Sequence, residues 1–293
     1  MNKERQGKRM GTELNYAQEM ERKLQKERRF HEKLVSPFTK AVSRYELLSP
    51  GDRVCVCISG GKDSMLMAKL FQILKKHQKF DFDVKYLVMD PGYSAPNRAL
   101  IMENAARLGI PVSVCESRIF DAVDNIPKNP CYLCARMRRG YLYRWAQEMG
   151  CNKIALGHHF DDVIETILMS MLWAGQFQTM MPKLHSSNFE GMELIRPMYL
   201  IREDDIIDWA QKNSLVFLRC ACHFTETCSE LRPDGSSMSK RLETKQLIRR
   251  LHETNPDIEA NLFKTAQNVN LDRVIAYKKN MVRHSFLDEY GSS

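Results

Sequence analysis

Ser59-Gly60-Gly61-Lys62-Asp63-Ser64 brings together the residue types that an anion site needs, in a usable order. The apolar run Val54-Cys55-Val56-Cys57-Ile58 precedes it, and Met67, Leu70, Phe71 and Leu74 follow at helical spacing. A buried strand, a glycine turn and a helix N-terminus present backbone N–H groups outward, and the helix dipole favours negative charge there. Lys62 adds a positive charge, and Ser59 and Ser64 add hydroxyl donors. The segment therefore reads as a phosphate cradle, with Ser59, Gly60, Gly61, Lys62 and Ser64 as binding residues. Asp63 has two readings: a Mg²⁺ ligand beside the phosphates, or a carboxylate favoured by the dipole.

Cys131-x-x-Cys134 is the second constellation, with Arg136, Arg138 and Arg139 directly after it. Such a pair serves as half a zinc site, a redox dithiol or part of an iron–sulfur site. Its partner in sequence is the distant Cys220-Ala221-Cys222-His223, with Cys228 nearby. Zinc could take Cys131, Cys134, Cys222 and one of Cys220, His223 or Cys228. A cluster held by three cysteines leaves one iron open to an outside ligand such as sulfide. Cys55, Cys57, Cys115 and Cys151 fall in or near apolar segments and read as small core residues. A third segment, Gly157-His158-His159-Phe160-Asp161-Asp162, opens a helical pattern. Asp161 there can cap the helix or bind Mg²⁺, and the two histidines read as polar loop residues.

These residues need a scaffold, and the rest of the chain supplies a strand–helix rhythm. Strands are expected at Arg53–Ile58, Val84–Met89, Val112–Cys115, Lys153–Leu156 and Glu193–Ile195. Helices are expected at Ser64–His77, Asn97–Leu108, Ala135–Met149, Asp161–Trp173 and Glu203–Lys212. The alternation predicts an α/β fold: an open, mostly parallel sheet with helices on both faces and helical N- and C-terminal extensions. Ligands bind beyond the carboxyl ends of such strands, which brings the glycine loop, Met89-Asp90-Pro91-Gly92 and the Gly157 segment to one crevice. Met89 and Gly157 join the nucleotide-binding set on that ground. Three regions follow: a basic helical extension at 1–48 with few core residues, a nucleotide-binding domain at 49–218, and a cysteine turn with two C-terminal helices at 219–293.

Composition narrows the class. Of 293 residues 43% are hydrophobic, enough for a substantial core. Lys+Arg of 44 against Asp+Glu of 36 gives +8, which suits a polyanionic partner. No stretch reads as a signal peptide or membrane span, so a cytoplasmic location without membrane contact is expected. In that compartment nine cysteines point to metal ligands and thiols rather than structural disulfides.

The hexapeptide is not the common P-loop, which needs glycine where Val56 stands and Ser or Thr where Asp63 stands. It resembles the PP-loop of the ATP pyrophosphatases. Over roughly Arg44 to Asn270 the chain is similar to the TtcA family, the tRNA 2-thiocytidine biosynthesis proteins. The resemblance rests on Ser59–Ser64, on the Cys131–Gly140 segment, on Ala155–Asp162, on Met181-Pro182-Lys183-Leu184, on Ile195-Arg196-Pro197 and on the late cysteines. It implies ATP-dependent replacement of the C2 oxygen of cytidine 32 in tRNA by sulfur, with Mg²⁺ and a 4Fe–4S cluster. The implied cluster ligands are Cys131, Cys134 and Cys222, with Cys220 as the fallback because this chain has Cys-x-Cys where the family has Cys-x-x-Cys. Lys62, Asp63 and Asp161 become the catalytic candidates, and Arg136, Arg138 and Arg139 the tRNA-binding ones. Sulfide or a cysteine desulfurase would donate sulfur, and a homodimer is left open. Two other readings stand beside this one: a lysidine synthetase-like adenylating enzyme, and a zinc-stabilised RNA-binding protein without catalysis.

Overall fold

The computed structural model describes residues 21–77, 80–124, 130–218 and 239–290, with the backbone alone at 124, 130–132 and 289. The chain divides into two compact units, Met1–Asp162 with Met181–Met238, and Val163–Met180 with Ser239–Ser293.

The first unit is built on a six-stranded sheet: β1 (Arg53–Ile58), β2 (Asp83–Asp90), β3 (Val112–Glu116), β4 (Lys153–Ala155), β5 (Lys183–His185) and β6 (Glu193–Ile195). Their order is β3-β2-β1-β4-β6-β5, parallel throughout except for β5, which runs antiparallel to β6 at one edge. Side chains alternate across a strand, so a strand covered on both sides must be apolar at every position. On β1, Val54, Val56 and Ile58 join one core with Met65 and Phe71 of the helix Lys62–Lys76, Ile101 of Ala95–Arg107 and Trp209 of Glu203–Lys212. Cys55 and Cys57 face the opposite layer, against Tyr143 and Ala146 of the helix Pro130–Glu148. They are core residues, as the sequence implies. Cys151 lies with them, and its contact with Cys55 together with burial pushes its thiol well above the ordinary value, so it stays protonated.

The N-terminal helix differs from expectation in its second half. Residues 21–29 are exposed, as the dense charge implies, but Leu34, Phe38 and Val42 are buried in the main core, and Ala41 is buried too. A π-turn at His31–Val35 separates the two halves. Pro37 accounts for it, because proline offers no N–H to the carbonyl one turn back and its ring crowds that carbonyl. The strand Lys183–His185 was not legible, since three residues show no period. The helix Ala95–Arg107 starts two residues early because Ser94 accepts the Asn97 N–H, 3.4 Å, and Pro96 suits a first turn.

In the second unit Val163, Ile164 and Ile167 are buried on the part of the helix Phe160–Ala174 that belongs to it, as are Thr244 and Ile248 of Lys240–Thr254 and Phe263 of Ile258–Thr265. Glu165, 4% exposed, pairs with Arg241 at 3.5 Å. Beyond the two expected helices lies an unexpected hairpin, Ala276–Lys279 with Val282–Ser285, and a short helix Leu287–Tyr290. Its two-residue turn puts Asn280 and Met281 at φ 51° and 68°. That turn type favours glycine second, and methionine there hid it.

Candidate active site

Strand order reverses beside β1: the chain proceeds to β2 and β3 on one side and to β4 and β6 on the other. Loops leaving β1 and β4 therefore diverge and open a crevice between them. Two glycines let its walls meet closely. Gly60 has φ +84°, and a Cβ there would lie 2.6 Å from the Ile101 side chain. A Cβ on Gly157 would lie 3.2 Å from the backbone of Asp63 and Ser64. The loop after β4 is thus pressed against the first helical turn after the glycine loop.

Ser64 is 5% exposed and holds that loop together. Its hydroxyl donates to the Gly61 carbonyl, 3.0 Å, and accepts from the Ser59 N–H, 3.1 Å, and the Ser59 hydroxyl, 3.2 Å. That differs from its expected place as a donor to phosphate, since here its one proton and both lone pairs are used inside the loop. Lys62 is the first helical residue. Its Nζ lies 3.1 Å from Asp63 Oδ1 and 3.2 Å from Glu203 Oε1. Burial pulls the Lys62 ammonium down, but the Asp63 and Glu203 carboxylates outweigh it and raise it above the ordinary lysine value.

Asp63 does not cap its helix; Gly61 stands at the cap without a side-chain hydrogen bond. Its Oδ1 is buried and accepts no hydrogen bond among the described residues. The Lys62 ammonium lies 3.1 Å from that oxygen without hydrogen-bond geometry, so a cation already faces it, and a carboxylate so placed beside a phosphate cradle also suits Mg²⁺. His159, 5% exposed, lies nearby, with Nε2 3.9 Å from Asp63 and 3.6 Å from Asp162. Among the described residues no three His, Cys, Asp or Glu converge as a complete metal cage. Mg²⁺ needs none, since it is held by one or two carboxylates together with substrate phosphates.

The reading of Asp161 as cap of its own helix is corrected too. Asp162 does that work, accepting the His159 N–H at 3.1 Å as in a capping box. Asp161 instead holds the start of the helix Glu203–Lys212, accepting the Glu203 N–H at 2.7 Å and Arg202 Nη2 at 3.2 Å. Through that contact it places Glu203 against Lys62. Neither Arg202 nor Glu203 was singled out in the sequence, because 42 residues separate Asp161 from Glu203 and no local pattern joins them.

At the far side of the glycine loop, Asp90 is buried, and its Oδ1 accepts the N–H groups of Gly92, 2.9 Å, and Tyr93, 2.7 Å. The turn so formed sends the Tyr93 hydroxyl to the Ser59 carbonyl, 3.2 Å, while Arg138 Nη2 reaches the same hydroxyl at 3.5 Å. The helix carrying the cysteine pair is thereby linked to the phosphate loop. That helix begins at Pro130, not Ala135, so Cys131 and Cys134 lie on it one turn apart. Cys134 is buried beside Met89, Ile119 and Val123. Met89 therefore spends its side chain in the apolar cluster beside Cys134. Arg136 and Arg139 are exposed and form no ion pair among the described residues. The side chain of Cys131, and all of Cys220, Cys222 and Cys228, lie outside the described residues.

Arg196 is a further residue the sequence did not single out as functional. It follows β6 directly and is only 5% exposed. Its Nε donates to His158 Nδ1 at 3.4 Å and its Nη1 to the Met181 carbonyl. Burial, helped by the positive charge of Arg139, lowers its guanidinium to about 10.

A strand, a glycine turn and a lysine-led helix at the switch point of a parallel sheet define a PP-loop protein, and the PP-loop domain family model matches residues 25–222. The tRNA-cytidine(32) 2-sulfurtransferase of Coxiella burnetii (strain RSA 493 / Nine Mile phase I) is 33% identical, covering 86% of this chain and 95% of that one. The tRNA-cytidine(32) 2-sulfurtransferase 1 of Francisella philomiragia is 35% identical, covering 81% and 90%. The chain belongs to the tRNA-cytidine(32) 2-sulfurtransferase family. Its fold is also that of the U34-tRNA thiolase NcsA from Methanococcus maripaludis, solved with its 4Fe-4S cluster, at a TM-score of 0.61 and 21% identity over 83% of this chain and 80% of that one.

Proposed function

We propose that the protein is an ATP-dependent tRNA sulfurtransferase that adenylates the C2 oxygen of cytidine 32 and replaces it with sulfur. Family membership supports the reaction. One observation carries the site: the Arg138–Tyr93–Ser59 link, which joins the cysteine helix to the phosphate loop. Adenylation and sulfur delivery must share one base, and a single crevice serves both.

A base carbonyl oxygen is a poor leaving group. Its attack on the α-phosphorus of ATP forms a C2–O–AMP bond and releases pyrophosphate; sulfide then adds at C2 and AMP departs. The loop amides and Lys62 would hold the phosphates and stabilise charge growing on pyrophosphate. Asp63 would hold Mg²⁺, which when bound would supply positive charge to offset that of the phosphates. Asp161 positions Glu203, and Glu203 with Asp63 steers the Lys62 ammonium. Cys131, Cys134 and Cys222 would hold the 4Fe–4S cluster, and the sheltered place of Cys134 suits a thiolate ligand. When bound, a cluster with three protein thiolates supplies an open iron position for sulfur. Sulfide is the proposed donor, either free or released by a thiol reductant from the persulfide of a cysteine desulfurase. Arg136, Arg138 and Arg139 would hold the tRNA backbone, and an anticodon-loop base can be splayed into the crevice at low cost.

Mass spectrometry of tRNA nucleosides from a strain lacking this protein tests the reading, with loss of 2-thiocytidine expected. In vitro, ATP and tRNA should yield AMP and pyrophosphate; ADP and phosphate would overturn the mechanism.

A further inference from the structure

Arg196 presents a problem of charge. It is 5% exposed, and no carboxylate lies within ion-pair distance of it among the described residues. Two of its five N–H donors are used, one on His158 Nδ1 and one on the Met181 carbonyl. The groups that act on it electrostatically are the like-charged Arg139, the phenols of Tyr199 and Tyr143, and the more weakly felt Asp162. A buried charge without a counter-charge destabilises a fold, and one persists where a ligand brings the opposite charge.

Its place says which ligand. Val56, Ala155 and Ile195 lie level across β1, β4 and β6, so Arg196 projects just beyond the carboxyl end of β6. At ~4.8 Å per strand, that end lies about 10 Å from the end of β1, where Gly60, Gly61 and Lys62 offer their own phosphate cradle. Arg139 approaches from the helix that carries the cysteine pair, and its exposed guanidinium is also without an ion pair among the described residues. An anion between the two arginines would touch the sulfur-delivering helix and the sheet edge, away from the nucleotide's phosphates.

We infer that Arg196, with His158 and Arg139, forms a recessed subsite for one backbone phosphate of the RNA, next to the base that reacts. The inference rests on the tRNA reading above. Arg196 donates from a fixed fork, which holds the strand while the base turns into the crevice. Arg139 closes the phosphate from the solvent side. His158 accepts the Arg196 Nε–H and so fixes the guanidinium plane.

Arg196→Gln and Arg196→Lys in the full chain test this, with three readings: affinity for an anticodon stem-loop RNA at two salt concentrations, affinity for ATP, and melting temperature without ligand. The expected result is at least a tenfold loss of RNA affinity in Arg196→Gln, with a log–log salt slope flatter by about 0.7–1. Arg196→Lys should recover part of the affinity. ATP affinity should stay within twofold, and the ligand-free melting temperature should hold or rise, since an uncompensated charge has been removed. A lower melting temperature with unchanged RNA affinity would make Arg196 a brace for Met181 and overturn the inference. Lost ATP affinity with intact RNA binding would assign the phosphate to the nucleotide and overturn it equally. A wild type that binds no RNA would refute the tRNA reading itself, whereas a variant that binds RNA like the wild type refutes only the subsite.

Discussion

Replacing Gly157 with alanine tests whether the crevice depends on close packing of the β4 loop against the phosphate loop. The new Cβ would stand 3.2 Å from Asp63 C and Ser64 N, so one side must give by a few tenths of an ångström. Neither neighbour is a side chain that can rotate away; both are backbone of the first turn after Gly61. Overpacking of this kind costs ~1–3 kcal/mol. In a unit of this size that lowers the melting temperature by roughly 3–9 °C. The same shift moves the Lys62 amide and ammonium. Since misplacement by about 1 Å costs ~100-fold, a few tenths should slow pyrophosphate formation by about three- to tenfold. Thermal melting and ATP–pyrophosphate exchange read the two effects. Gly140→Ala is the stability control: nothing lies within 4 Å of its Cβ, and it sits within the helix Pro130–Glu148. Alanine there should leave stability unchanged or raise it by about 0.5–1 kcal/mol. Equal melting temperature and exchange rate in Gly157→Ala and wild type would refute the argument that glycine is needed for this approach.

Asp161→Asn should lower stability by about 1.5–3 kcal/mol and reduce AMP formation together, because it weakens charge-assisted bonds to Glu203 N and Arg202; unchanged melting with lost activity would instead give Asp161 a purely chemical role. Tyr93→Phe removes the hydroxyl between Arg138 and Ser59, so it should cost ~1 kcal/mol and weaken ATP binding by a few fold, measured by calorimetry. Cys131→Ala, Cys134→Ala and Cys222→Ala should each lose iron from anaerobically purified protein, while Cys57→Ala, a change inside the core, should keep it by iron assay. The raised Lys62 ammonium keeps its charge and its ion pairs below the ordinary lysine value and loses them only as pH rises through its own higher one. ATP affinity should therefore stay level from pH 7 to about pH 9.5 in a titration series, and a fall centred near pH 8 would contradict that sign.

Much of this protein was readable from local pattern. The run Val54–Ile58 could only be a strand buried on both faces, and Ser59–Ser64 between strand and helix could only be a tight, positively charged turn. Those are short-range facts, set by side-chain period and by what glycine and lysine permit. The cysteine pair was equally visible, although its helix begins earlier than Ala135. Tertiary structure alone decided which polar groups meet. Ser64 turned inward to brace the loop, Asp161 reached across to the start of another helix, and Arg138 joined the phosphate loop through Tyr93. Arg196 sits in the sequence as one residue of Ile195-Arg196-Pro197, with nothing to mark it as a buried charge. The reason is the parallel sheet. Each crossover carries the chain from one strand end back to the same edge through a helix, so neighbours in the crevice are tens of residues apart and no local rule pairs them.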